Sequence, residues 1–184
     1  SILEAMEREE ILLHFPYQRY DYILRFFNEA IISKRVKEIK VALYRVAEQS
    51  HVVNALISAA HNGKKVTVFV EAKARFDEEN NLKWAARMQT AGIDVRFSSI
   101  ELKVHAKVAL LIGEDSKGKP TKYAFFGTGN FNEKTAAIYA DHALLTTDPR
   151  LTDELDQTFE FIFGNEQHVD LVDGVGGDLL LVLC

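Results

Sequence analysis

Residues 101–112 read ELKVHAKVALLI, and three of them have side chains that could do chemistry together: Lys103, His105 and Lys107 alternate with Leu102, Val104, Ala106, Val108 and Leu110. In a strand, successive side chains point to opposite faces, so the apolar set shares a core face and the basic set shares the other. Lysine is almost never fully buried without a partner, so the basic face must meet solvent, carboxylates or an anionic ligand. Phosphate suits all three side chains. Two ammonium groups neutralise its charge, and a neutral imidazole is a competent nucleophile toward phosphorus near pH 7. Fixed positive charges on both sides also disfavour the imidazolium, which keeps the lone pair available. A lone histidine can equally be a structural side chain satisfied by hydrogen bonds, so other groups must decide.

Two arginines stand after apolar runs that read as strands: Arg45 in IKVALYRVAEQS and Arg75 in VEAKARFDEEN. In an open parallel α/β sheet the carboxyl ends of neighbouring strands converge on the ligand crevice, which makes both arginines candidate bidentate clamps on phosphate. Ion pairs with Glu48, Asp77 or Glu78 are the structural alternative. Arg45, Arg75 and His105 fall at thirty-residue intervals, each at the end of an expected strand. The string GTGNFN, residues 127–132, adds a glycine-rich loop in which backbone amides can approach an anion closely and asparagines supply further donors. A plain turn between a strand and a short helix would use the same residues. The order His105-x-Lys107 followed by Gly127-x-x-Asn130 resembles the His-x-Lys and Gly-x-x-Asn pieces of the phospholipase D superfamily, whose histidine attacks phosphorus. That superfamily has an aspartate five residues after the lysine, where this chain has Ile112.

The elements that must position these residues follow from periodicity. ILEAMEREEILL reads as an amphipathic helix running into a short strand, Ile11 to His14, before Pro16, and YQRYDYILRFFNEAIIS has helical apolar spacing. VKEIKVALYRV reads as a buried strand. SHVVNALISAAHNGKK reads as a helix with Ser50 as N-cap and Gly63 beyond its end. VTVFVEAKA is a strand, DEENNLKWAARMQTAGI a helix with acids in its first turn and Gly92 as its stop, and IDVRFSS a further strand. The 101–112 strand and TKYAFFGT flank the polar turn GEDSKGKP as a hairpin; HALLTT is a last strand and DPRLTDELDQTFEFIFG a last helix. Strands alternating with helices imply an α/β domain whose mixed, mostly parallel sheet is flanked by helices and completed by an antiparallel hairpin. We expect one catalytic domain over residues 1–164. Residues 165–184, NEQHVDLVDGVGGDLLLVLC, read as a linker, the start of a further domain or an appended tail.

Composition narrows the class. With 184 residues and 47% apolar side chains the chain can bury a sizeable core, which excludes a disordered protein. The single cysteine, Cys184, forms no intrachain disulfide, and with a charged N-terminus and no apolar run of membrane-spanning length this suggests a soluble protein of a reducing cytoplasm. Net charge is −5, which argues against a general nucleic-acid coating protein. The distribution is uneven: residues 33–122 carry 17 Lys and Arg against 10 Asp and Glu, leaving 5 against 17 elsewhere. A basic middle permits a polyanionic ligand.

IKVALYRVAEQS, AAHNGKKVTVFVEAKARFDEENNLKWA, LKVHAK and GTGNFNEKTAAIYADHALLT together resemble the first C-terminal catalytic domain of the bacterial polyphosphate kinase type 1 family, itself phospholipase D-like, over roughly residues 3–164. The resemblance implies reversible transfer of the terminal phosphoryl group of ATP onto inorganic polyphosphate through a phosphohistidine. Residue by residue, it implies that His105 is the phosphorylated histidine, that Arg45 and Arg75 form the magnesium and phosphate site, and that Tyr139 and Asp141 contact phosphate. Lys103, Lys107 and Asn130 join the substrate-binding set on the chemical grounds above. Implied partners are ATP or ADP, inorganic polyphosphate, Mg2+ as cofactor, the remaining domains of the full-length enzyme and further copies in a homo-oligomer, with no nucleic acid. The implied location is the cytoplasm, with peripheral association at the inner membrane open. In the family a second C-terminal domain supplies another essential histidine, so this piece is expected to have little or no activity alone. Two other readings remain: a phospholipase D-like phosphodiesterase, and a non-catalytic polyanion-binding module.

Overall fold

Alternating and continuous apolar runs assemble into one seven-stranded sheet with helices on both faces. The computed structural model describes residues 1–71, 78–97 and 104–164; Arg75, Lys103 and the 165–184 segment lie outside the described residues. In chain order the elements are α1 (Ile2–Met6), β1 (Ile11–Phe15), α2 (Asp21–Ile32), β2 (Val36–Leu43), α3 (His51–His61), β3 (Lys65–Val70), α4 (Glu78–Thr90), β4 (Asp94–Phe97), β5 (Lys107–Glu114), β6 (Pro120–Gly127), α5 (Glu133–Ala136), β7 (Asp141–Thr146) and α6 (Pro149–Ile162). The expected ends of α3 are present: the Ser50 side chain accepts from the Val53 amide, and Gly63 takes the left-handed backbone (φ 79°) that a side chain would resist.

The sheet order is β1-β7-β6-β5-β2-β3-β4. A mixed sheet flanked by helices is as expected, but the expectation that it is mostly parallel is overturned: only β2–β3 and β3–β4, two of the six pairs, are parallel. Parallel neighbours need a long crossover, and α3 and α4 supply the two that exist. β5 and β6 are joined instead by a tight turn. There the Asp115 carboxylate accepts from the amides of Lys117 and Lys119, and Gly118 adopts φ 78°.

One face of the sheet packs against α1–α4 through residues such as Phe26, Phe27, Val41, Val68, Ala109 and Leu111. The opposite face packs Val104, Ala106, Val108 and Leu110 against Leu155 and Phe159 of α6. Each large apolar side chain taken out of water there contributes about 1.5–3 kcal/mol. Polar pairing fixes the register of α6: Lys40, on β2, is buried and its ammonium reaches Asp156 at 2.7 Å and also Glu160. β5 runs antiparallel to β2, pairing Val108 with Ala42, and its first residue, Lys107, pairs with Gly127 at the end of β6. The amino end of β5 therefore lies at the same end of the sheet as the carboxyl ends of β2, β3 and β6 and the amino end of β7.

Candidate functional site

The 101–112 string is not one strand: β5 starts at Lys107 and runs to Glu114, and residues 101–103 lie outside the described residues. The ladder ends at the Val108–Ala42 pair on one side and the Lys107–Gly127 pair on the other, and before it the Val104 amide donates to the Glu71 side chain instead. The alternation of burial nevertheless extends below the strand. Val104 and Ala106 are buried on the α6 face, His105 is exposed, and Lys107 is buried on the face opposite α6.

His105 and Lys107 meet directly. The Lys107 Nζ lies 3.1 Å from Nδ1 and 3.0 Å from Nε2 of His105, so the ammonium can donate to whichever ring nitrogen carries the lone pair. The two residues share an aromatic wall, Tyr44, which the sequence reading passed over. The Tyr44 and His105 rings meet edge to face with centroids 4.5 Å apart. Lys107 Nζ is 5.2 Å and the Arg45 guanidinium carbon 5.4 Å from the Tyr44 centroid, within reach of a cation–π attraction. The available signal was positional: Tyr44 immediately precedes Arg45 at the end of an apolar strand.

Burial pushes the Lys107 ammonium down to about pKa 8, with the Arg45 charge acting in the same direction and the Asp141 carboxylate opposing both. An incoming phosphate would supply the negative charge that this buried cation lacks.

The 127–132 loop brings the second wall. Asp141, at the start of β7, accepts a hydrogen bond from Thr128 Oγ1 at 2.8 Å, and Thr128 Oγ1 accepts from the His142 amide at 3.0 Å. A Cβ at position 129 would lie 2.5 Å from Asp141 Oδ2 and 2.6 Å from Cγ, so this loop position requires glycine. The Asn130 Oδ1 is buried and, among the described residues, has no hydrogen-bond partner. Asn132 caps α5, its side chain accepting from the amides of Lys134 and Thr135. Tyr139, after α5, is 62% exposed at this end of the sheet. The structure thus brings Arg45, His105, Lys107 and Asp141 to one sheet end, with Asn130 and Tyr139 on the adjoining segment; Arg75 and Lys103 lie outside the described residues.

Beside Arg45, between the 46–48 segment and α4, opens a cleft of about 580 Å³. Its lining sets Lys83 and Arg87 against Glu48 and Glu79, with Lys83 paired to Glu79 at 2.8 Å. A resident magnesium ion does not fit Arg45, because a guanidinium carries five donors and no lone pair. Among the described residues no group of three His, Cys, Asp or Glu side chains could hold a metal. The donor set suits the phosphate half of the expected magnesium and phosphate site.

The family model described as polyphosphate kinase C-terminal domain 1 matches residues 1–168. Polyphosphate kinase of Escherichia coli (strain K12) is 47% identical over 159 residues, which is 86% of this chain and 23% of that protein. The chain thus spans about a quarter of the length of the curated relatives it matches. The crystal structure of polyphosphate kinase from Porphyromonas gingivalis superposes with a TM-score of 0.83 at 42% identity, covering 98% of this chain and 31% of that one. A phospholipase D family member, Nuc from Salmonella typhimurium, superposes with a TM-score of 0.65 at 14% identity over 85% of this chain and 94% of its own, a likeness of fold.

Proposed function

The chain belongs to the polyphosphate kinase family, as its C-terminal domain 1, and from that premise we propose that it carries the phosphoryl-accepting histidine of an ATP:polyphosphate phosphotransferase. The observation that carries the proposal is the pairing of an exposed His105 with a buried Lys107 at 3.0–3.1 Å, at the sheet end where the Arg45 segment and the 127–130 loop meet. His105 attacks the γ-phosphorus of ATP with the lone pair of one ring nitrogen; the N–P bond forms as the bond to the bridging oxygen breaks and ADP leaves. The terminal oxygen of a polyphosphate chain then attacks the phosphohistidine, the N–P bond breaks, and the polymer is longer by one phosphoryl group. Both steps run in reverse.

The chain's own groups provide electrostatics and placement. Lys107 donates to the phosphoryl oxygens when they displace its contact with His105, and Arg45, with Arg75 from the segment after β3, clamps phosphate bidentately. Lys103, Asn130 and Tyr139 contact the substrate, and Asp141 belongs to the same binding set. Magnesium comes in on the phosphates of the nucleotide, as part of the substrate, and spreads their charge.

Ile112, where a phosphodiesterase of this fold has aspartate, packs on the α6 face among apolar side chains, which disfavours the diesterase reading. We further propose residues 1–164 as the catalytic domain and 165–184 as a linker, the start of a further domain or an appended tail, with the remaining domains and other copies completing the enzyme. The isolated chain has little activity, and the enzyme works in the cytoplasm without nucleic acid. Among the described residues no helix is long and apolar enough to cross a membrane. The test is His105→Ala in the full-length enzyme: loss of both phosphoenzyme and polymer synthesis supports the proposal. Polymer synthesis surviving at the wild-type rate overturns it, and polyphosphate binding without any phosphoenzyme in the wild type points to a binding module.

A further inference from the structure

Arg45 and His105 sit on separate segments that follow or precede strands, and neither segment is held there by the sheet ladder. Two fully buried polar side chains outside the binding set tie them together, while Asn80 also holds the first segment through Nδ2 to the Val46 carbonyl at 2.7 Å. Asn81, in the first turns of α4, is 0% exposed. Its Nδ2 donates to the Tyr44 carbonyl at 3.0 Å and to the Glu71 carbonyl at 3.1 Å, and its Oδ1 accepts from the Val46 amide at 3.3 Å. The two bonds to Tyr44 and Val46 bracket Arg45 on both sides. The third ties that bracket to the end of β3.

Glu71 continues the chain of contacts. It is 1% exposed, its amide donates to the Leu43 carbonyl at 3.0 Å, and its Oε2 accepts from the Val104 amide at 3.2 Å, one residue before His105. A single connected path therefore runs from the peptides around Arg45, through the Asn81 amide and Glu71, to the peptide that precedes His105. Trp84, one turn further along α4, also anchors the Arg45 segment through Nε1 to the Ala47 carbonyl at 3.0 Å. Asn81 uses both donors and one acceptor lone pair on the backbone of three buried residues, a combination that a carboxylate or a hydroxyl of similar size does not reproduce.

We infer that Asn81 is a positioning residue for phosphoryl transfer: through its bonds to Tyr44, Val46 and Glu71 it sets the distance between the Arg45 clamp and the His105 nucleophile. The inference rests on the proposed function of Arg45 and His105. Asn81 touches neither substrate nor the reacting atoms. A shift of about 1 Å between clamp and nucleophile costs on the order of 10²-fold in rate, which sets the size of the expected effect.

The experiment uses the full-length enzyme and compares Asn81→Asp, Asn81→Ser and Trp84→Phe with His105→Ala as reference. Asn81→Asp keeps the size and the acceptor but faces two carbonyls with a carboxylate; Asn81→Ser is smaller and uncharged, and serves if the aspartate does not fold. Each is assayed by thermal melt, by KM for ATP and kcat, and by the rate of phosphoenzyme formation in a rapid quench. The expected result is a kcat and a phosphoenzyme rate lowered by about 10²-fold in the Asn81 variants, measured below their melting temperatures. KM for ATP is expected to change less than threefold, and Trp84→Phe to lower the melting temperature while leaving kcat within about threefold. Asn81 variants with wild-type kcat, or a Trp84→Phe variant that loses kcat equally, overturn the inference. If His105→Ala itself keeps full activity, it is the functional reading that fails.

Discussion

Raising the pH from 7 to 9 should release polyphosphate from this site through one side chain, Lys107. Its buried ammonium has a pKa of about 8 instead of the ordinary 10.5. About 90% of it is charged at pH 7 and about 10% at pH 9, whereas an ordinary lysine stays almost fully charged across that range. If the anion binds only the ammonium form, affinity falls about tenfold, or ~1.4 kcal/mol, over those two pH units. Lys107→Arg keeps a fixed charge and should remove this slope, so the ratio of the two dissociation constants isolates Lys107 from ionisation of the ligand itself. The assay is calorimetric titration of the full-length enzyme with tripolyphosphate, without nucleotide or magnesium so that nothing turns over. A ratio that stays constant from pH 7 to 9 refutes the reasoning. The same shift has a stability consequence. Because the folded pKa is depressed, the folded state binds fewer protons than the unfolded state between about pH 8 and 10.5. Lys107 therefore makes stability rise with pH through that window, and its contribution is lost as pH falls through about 8.

Gly129→Ala places a Cβ 2.5 Å from Asp141 Oδ2; overpacking of this kind should cost about 1–3 kcal/mol in a urea titration and weaken tripolyphosphate binding, and a variant as stable and as tight as wild type would show that the loop yields freely. Lys40→Met leaves Asp156 and Glu160 facing an apolar side chain, and should destabilise by about 2 kcal/mol, below the 3–5 of a fully buried pair because both carboxylates keep some water. Burial acts to raise the Asp156 pKa, but hydrogen bonds from Lys122 and Lys40 hold it below the usual carboxylate range. The associated stability is present above the ordinary carboxylate pKa and is lost as pH falls through the depressed one, so the gap between wild type and Lys40→Met should close in acid; a gap independent of pH would contradict the pairing.

The strands and helices were legible because each writes its burial into a short period: Val36–Leu43, Lys65–Val70 and Glu78–Thr90 all lie where apolar spacing put them. Strand direction was not. Whether β5 lies parallel or antiparallel to β2 depends on where the chain returns after β4, and no local pattern in KVALLIGE records it. That unread antiparallel step is what places the beginning of one strand, Lys107, beside the ends of two others. At the site, His105 and Lys107 could be singled out because charged or titratable residues beside buried strands are chemically costly and therefore informative, whereas Asp141 and Tyr139 stood out only through the family resemblance. Tyr44, Glu71 and Asn81 could not. Tyr44 reads as an ordinary core aromatic, and Asn81, in ENNLKW, reads as one more polar residue in the first turns of a helix. Asn81 bonds backbone groups 10 to 37 residues away, Glu71 accepts from the Val104 amide, and the Tyr44 ring meets His105, contacts that only the fold brings together.

The most direct test of the central claim is to locate the phosphoryl group. Full-length enzyme incubated briefly with γ-32P-labelled ATP and quenched in base should carry label that is stable to alkali and lost in acid, on the peptide containing His105, and the label should pass to polyphosphate on a chase with unlabelled polymer. Label on any other residue, or polymer labelled at the wild-type rate in His105→Ala, would contradict it.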